Sequence, residues 1–307
     1  MQSLEECKNC PRNCGVDRTN GSNGYCHCND KPLISSIFLH KGEEPVISGT
    51  KGICNVFFAH CNLQCIYCQN HQISVNSTYD STWQMSIEEA TEKIMSYLNI
   101  GVKLLGFVSP SHQLHQMVQI IESVWAKGYK PIVVYNSNGY DSVESLMALE
   151  GLVDVYLPDF KYFDNLLGQR FSNVNNYFDV ASKALKEMYR QKGSTILLDD
   201  DGLIESGVII RHLVLPGCSN DSVNVLKYIA NEISPNLRIS LMSQYYPTEH
   251  VSTKSGLNRK ISHSEYQKVV AKMEELGFDG WVQELESSDH YKPDFLSHIP
   301  FIDKIND

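Results

Sequence analysis

From Ile53 onward, short apolar runs recur at wide intervals, separated by longer segments with helix-like patterning. Six such runs stand out: "ICNVFFAHC", "KLLGFVSP", "KPIVVYNS", "VDVYLPDFK", "GVIIRHLVLP" and "RISLMSQYYP". Each is short and nearly continuous in hydrophobicity, as expected of strands covered on both faces in a parallel sheet. Their spacing is that of βα units, so the pattern predicts an α/β fold with helices packed on the sheet. Helix boundaries are also legible. Ser86 and Glu89 in "SIEEATEKIM" stand in capping-box relation, and "SHSEYQKVVAKMEELG" ends at Gly277, as a C-terminal cap does.

Upstream the pattern changes. The first 30 residues hold five cysteines and no apolar period, and "PLISSIFLHKGEEPVIS" reads as two short strands around a turn. Residues 1–48 are therefore expected to form a cysteine-rich metal-binding segment with a hairpin, and residues 49–307 the main body. Residues 191–207 read as an acidic loop or hairpin, with no function assigned.

Composition narrows the function classes. With 307 residues and 42% hydrophobic content, the chain can bury a sizeable core. There is no run of 18 apolar residues, and the start has no secretory pattern, so a cytoplasmic location away from the membrane is expected. Ten cysteines in a reducing compartment indicate ligand clusters rather than disulfides. A net charge of -10 argues against nucleic acid as a partner.

In folds of this class, working groups collect at the C-terminal ends of the strands. Those ends carry Cys61, Ser109 with His112, Asn136, Asp159 with Lys161, Arg211 and Gln244. His212, next to Arg211 on a strand, points the other way. His112 and His115 begin a predicted helix and share a face. The stretch "FFAHCNLQCIYCQNHQIS" places Cys61, Cys65 and Cys68 in one tight loop. Thiolates suit zinc or iron–sulfur clusters, and a closed zinc site would need a fourth ligand from His60, His71 or Cys54. Cys54 lies on the strand itself, where six residues span about 20 Å, so it is read as a small buried hydrophobe. Three ligands on a [4Fe–4S] cluster leave one iron open.

These residues, with Tyr67 just before the last cysteine, resemble the signature of radical S-adenosylmethionine (radical SAM) enzymes. More narrowly, "NCPRNCGVDR", "YNSNGYDS", "VDVYLPDFKYFD", "GVIIRHLVLPG" and "LMSQYYP" resemble the pyruvate formate-lyase activating enzymes. The resemblance spans nearly the whole chain. It implies a partial (β/α)6 TIM-like barrel in which the open iron chelates S-adenosylmethionine. The electron that cleaves the sulfonium then comes from a reductant such as flavodoxin or ferredoxin. Cleavage yields methionine and a 5′-deoxyadenosyl radical that takes hydrogen from a substrate. By position in the family pattern, Tyr67 lies beside the adenine and Asn136 meets the ribose or methionine part. Asp159 and Lys161 lie near the methionine moiety, and Arg211 fixes a carboxylate.

One departure stands out. Activating enzymes of this kind carry a Gly-Gly-Glu-type motif after the second strand, where this chain has "LLGFVSPSHQ". The amino group of S-adenosylmethionine must then be met by another group, such as Ser109. The substrate is expected to be a glycine in a partner protein or, alternatively, a small molecule, a peptide side chain or a base. A non-catalytic redox module is the reading from another class. In the first segment Cys7, Cys10, Cys14 and Cys26, with Cys28 as a fifth candidate, fit a second iron–sulfur cluster or, as the rival, a structural zinc.

Overall fold

The computed structural model describes residues 3–21, 23–287, 292–297, 300 and 301. All six apolar runs form strands: β2 (Ile53–Phe58), β3 (Leu104–Val108), β4 (Ile132–Ser137), β5 (Val155–Pro158), β7 (Ile204–Leu213) and β8 (Arg238–Met242). They pair in parallel in that order. Three further strands join them. β1 (Ile34–His40) lies antiparallel on β2, β6 (Leu197–Leu198) forms a hairpin with β7, and β9 (Gly280–Val282) extends the parallel edge beyond β8. The last is three residues of "GWV", too short to carry a period.

Two long helices after β2 and β3, α3 (Ile87–Leu98) and α4 (Leu114–Ala126), pack side by side on the outside. After β4 and β5 come α5 (Val143–Ala148), α6 (Asn165–Ser172) and α7 (Tyr177–Lys192), and after β7 and β8 come α8 (Ser219–Glu232) and α9 (His263–Glu275). The expected start signal is present as a complete capping box, Ser86 with Glu89 on α3, and α9 begins with another, Ser262 with Glu265. Gly277, just past α9, takes φ 73°, the left-handed conformation of a C-terminal cap. The result is the partial TIM-like barrel of an α/β protein. Among the described residues, no helix is long and apolar enough to cross a membrane.

Strand alternation separates two apolar layers. Cys54, Val56, Leu105, Phe107, Val133, Tyr135, Tyr156 and Ile210 face the helices. Ile53, Leu104, Val134, Val155 and Ile209 face the barrel interior at its lower end. Farther up the same inner face the residues turn polar at Asn136, Asp159 and Arg211. Period-two geometry therefore places a polar cavity above an apolar plug.

The plug corrects one expectation. "EEPVIS" does not form the second strand of a hairpin. It forms a one-turn helix, α1 (Pro45–Ser48), with Pro45 at its start, where proline's fixed φ suits a helix and its missing N–H costs nothing. Ile47 of that turn is fully buried among the inner residues. Gly106 on β3 has no room for a side chain, because a Cβ there would lie 2.0 Å from Asn55 Oδ1 and 2.9 Å from Ile53 Cδ1.

Candidate active site

Above the plug lies a cavity of about 200 Å³. Its lining includes Cys61, Cys65, Cys68, Tyr67, Ser109, Asn136, Asp159, Lys161, Arg211 and Gln244, so the fold gathers the residues expected there from the strand ends except His112.

The cysteine loop leaves β2 through His60, whose φ of 66° turns the chain sharply. The loop is tied to α6: Ile66 N donates to Phe171 O (2.9 Å) and Gln64 N to Ser172 O (3.4 Å). Beyond the third cysteine, a short helix α2 (His71–Ser74) closes it. Each thiol has a polar neighbour: Asn138 Nδ2 donates to Cys61 Sγ (3.3 Å), Ser74 Oγ donates to Cys68 Sγ (3.2 Å), and Ser172 Oγ lies 3.0 Å from Cys65 Sγ. Asn138, Ser74 and Ser172 were not singled out in the sequence. The motif "YNSNGYDS" drew attention to Asn136, and Asn138 stands two positions on, past the strand end. Partners of this kind orient metal ligands and tune the bound centre.

Burial raises the thiols' pKa values, that of Cys61 to about 12 and that of Cys65 to about 11, and Cys68 is also shifted upward. Lys161, beside Cys65, opposes this shift. Three thiols, that of Cys61 buried and those of Cys65 and Cys68 half-buried, each beside a polar side chain, are good ligands for a soft metal centre, and the donor set fits an iron–sulfur cluster. Among the described residues, the expected fourth ligands are engaged elsewhere; His71 Nδ1 bonds Cys68 O (3.2 Å). His60 has carbonyl oxygens at both ring nitrogens, Cys26 O at 2.8 Å and Thr78 O at 2.7 Å. Cys54 is fully buried in the helix-facing core, as expected of a small hydrophobe.

The other expected residues divide into two sets. Tyr67 is fixed by a chain of hydroxyls that returns to the cysteines: Tyr67 OH to Tyr162 OH (2.5 Å), Tyr162 OH to Ser172 Oγ (2.7 Å), then Cys65 Sγ. Gln244 is held by Gln69 and Gln283 and clamps the residue after Cys68. Ser109 ends β3 in the left-handed region, with φ 53° and ψ 50°, and its N donates to Asn136 O (2.8 Å). A non-glycine residue in that region at a strand end is the kind of strain found at functional sites. Lys161 Nζ donates to Asp159 Oδ2 (2.5 Å); burial works against the ammonium, but Asp159 and Cys65 raise its pKa well above the usual lysine range.

Arg211 reaches down to the floor, where its Nη2 donates to Glu43 Oε2 (2.6 Å) and its Nε to Glu44 Oε1 (2.9 Å). Its charge-assisted bonds therefore go to carboxylates of this chain. Glu43 also accepts from Asn55 Nδ2 (2.9 Å), and Glu44 Oε2 is buried with no partner. His212 faces the other way, as expected, with Nδ1 donating to Phe160 O (2.6 Å). His112 and His115 do not form a paired face. His112 is buried in a separate turn against Ala59 O (2.9 Å), because Pro110 starts a 3-10 turn before α4 begins.

Of the N-terminal cysteines, Cys7, Cys10, Cys14 and Cys26 line a second, smaller cavity behind the loop, and Cys28 lies outside its lining.

Residues 55–224 match the sequence pattern of the Radical SAM superfamily. An uncharacterized protein of Methanocaldococcus jannaschii is 30% identical over 282 residues, covering 90% of this chain and 76% of that one. The fold is similar to that of methylornithine synthase (TM-score 0.50, 12% identity, 82% of this chain and 77% of that one). It is also similar to the FeFe-hydrogenase maturase HydG from Carboxydothermus hydrogenoformans (TM-score 0.52, 14% identity, 75% of this chain). This chain spans about half the length of several such structures, 53% in the case of that maturase. At these identities the structural likeness is one of fold; the sequence match over more than half of the chain makes it a member of the radical SAM superfamily.

Proposed function

We propose that the protein cleaves S-adenosylmethionine reductively at a [4Fe–4S] cluster held by Cys61, Cys65 and Cys68, and abstracts hydrogen from a substrate in the cavity. The observation that carries this reading is a three-thiol loop, each thiol beside a polar side chain, opening onto a cavity lined by strand-end polar groups. The bound cluster supplies an open iron and one electron, the chemistry that releases methionine and the 5′-deoxyadenosyl radical.

The chain's own residues bind, orient and exclude water. Tyr67, locked by its hydroxyl chain, presents a fixed aromatic face beside the loop for the adenine. Asn136 is assigned to the ribose or methionine part, and Asp159 and Lys161 supply opposite charges for the methionine part. Ser109, where the Gly-Gly-Glu-type motif is missing, is assigned to the amino group. Gln244 holds the loop through Gln69. Pro293 and Phe301 complete the upper lining, which helps keep a radical from water.

Motif likeness to the activating enzymes supports a glycine in a partner protein as the hydrogen donor. The floor supports a second reading. The Arg211 guanidinium and Glu43, both in the lining, are better matched to a small charged substrate than to a peptide backbone. The test is anaerobic incubation of the iron-loaded protein with S-adenosylmethionine and dithionite. 5′-Deoxyadenosine and methionine are expected in equal amounts, and neither from Cys61→Ala, Cys65→Ala or Cys68→Ala. An iron-loaded protein that yields no 5′-deoxyadenosine sinks the proposal. Deuterium reaching 5′-deoxyadenosine from a glycine-labelled protein, or only from a low-molecular-weight fraction, separates the two substrates.

A further inference from the structure

The cavity behind the cysteine loop is built from the segment with the least apolar content. Cys7 N donates to Val16 O and Gly15 N to Cys7 O, both at 2.9 Å, which folds residues 7–16 back on themselves. Cys7, Cys10, Cys14 and Cys26 thereby line one space. Gly24 lets the returning chain close on it, because a Cβ there would lie 3.0 Å from Cys14 Sγ.

Two buried donors in the same lining point to a guest. Arg18 is 1% exposed; its guanidinium donates to Asn29 O and His112 O and lies 3.8 Å from Cys7 Sγ. The groups that act on its charge are the thiols of Cys26, Cys28 and Cys7. Asn9 is 2% exposed, and its Nδ2 has no acceptor at all. The guanidinium's anionic company is the cysteines themselves, and a buried amide without an acceptor costs roughly 1–3 kcal/mol. An anionic, acceptor-rich group between the four cysteines serves both.

The sulfur spacing selects the kind of group. A tetrahedral zinc at about 2.3 Å from each sulfur brings the sulfurs within about 3.8 Å of one another. Among the described residues, no three of these cysteines have their sulfurs all within 4.8 Å, and the same holds for Cys61, Cys65 and Cys68. In neither set, then, are three sulfurs drawn together around one small ion, and only a cluster with inorganic sulfide adds acceptors for Asn9 besides the thiolates. The two sites are also stitched together. Asn76 Nδ2 donates to Tyr25 O (2.8 Å) and to Cys61 O (3.0 Å), while the His60 ring bonds Cys26 O.

We propose that Cys7, Cys10, Cys14 and Cys26 hold a second iron–sulfur cluster, with Arg18 as its buried counter-charge and Asn9 as a hydrogen-bond donor to it. The site is separate from the Cys61–Cys68 loop and does not depend on the reaction proposed there. The test uses the full-length protein reconstituted anaerobically with ferrous iron and sulfide in the presence of zinc, with iron, sulfide and zinc counted per chain. About eight irons are expected in the parent and in Cys28→Ser, and about four in the double variant Cys10→Ala with Cys14→Ala. About four are also expected in Cys61→Ala with Cys65→Ala and Cys68→Ala, and these report the second site with the first removed. If that triple variant binds no iron, the proposal is overturned, even where the double variant fails to fold. One zinc per chain that disappears in the double variant while four irons remain overturns it as well.

Discussion

The floor of the cavity offers a direct separation of structure from binding. Arg211 side-chain exposure is 16%, and that of Glu43 and Glu44 is 6% and 4%. Burial pushes Glu43 upward, but Arg211, followed by His40, pulls it below the usual carboxylate range, so the pair is charged. Arg211→Met leaves two buried carboxylates without their cation, and breaking a buried pair from one side costs about 3–5 kcal/mol. Unfolding entropy of roughly 2.1 cal/mol/K per residue over 307 residues amounts to about 0.64 kcal/mol/K, so Tm should fall by about 5–8 °C. Adding Glu43→Gln and Glu44→Gln removes the stranded charges and should restore at least half of that loss. The assay is thermal unfolding of the anaerobically reconstituted proteins at one scan rate. If Arg211→Met melts within about 1 °C of the parent while binding S-adenosylmethionine more weakly, the floor is not an anchor and Arg211 is a ligand contact. A triple variant as unstable as the single one would place the cost somewhere other than in the carboxylates.

Two further outcomes follow from the same geometry. Asn138→Ala removes the donor to Cys61 Sγ, and iron affinity measured by chelator competition should fall about 10–100-fold; an unchanged affinity would exclude that role. Burial lowers His112 to about 3 and His212 to about 4, so both stay neutral in the folded chain while the unfolded chain protonates them below about 6.5. Stability is therefore lost as pH falls, by roughly 2 kcal/mol per histidine between pH 7 and pH 5. Urea midpoints should show a shallower pH dependence in His212→Gln, and an unaltered slope would rule the assignment out.

Much of the fold could be read from residues alone because its signals are local. Continuous apolar runs, Ser86 with Glu89 and Gly277 each depend on neighbours within a turn or a strand, and all appear where the pattern placed them. The same holds for the three clustered cysteines, since one tight loop is a local object. β9 was invisible because three residues carry no period, and α1 was mistaken for a strand. Its four residues have no helical signal except Pro45, and what makes them a plug is the apolar inner face of strands distant in sequence.

The site divides the same way. Strand alternation alone sends Asn136, Asp159 and Arg211 to one face and His212 to the other, since a period of two is a property of the chain. What each side chain meets on that face was decided by the tertiary structure. Arg211 lies 168 positions from Glu43 and Ser172 lies 107 from Cys65, separations at which no spacing rule operates. Closing the sheet brings such pairs together because burying charged and polar groups is tolerable only when they find partners. For the same reason, the four cysteines of the first segment were a composition in the sequence and become a cavity only where residues 7–26 fold against Asn62 and His112.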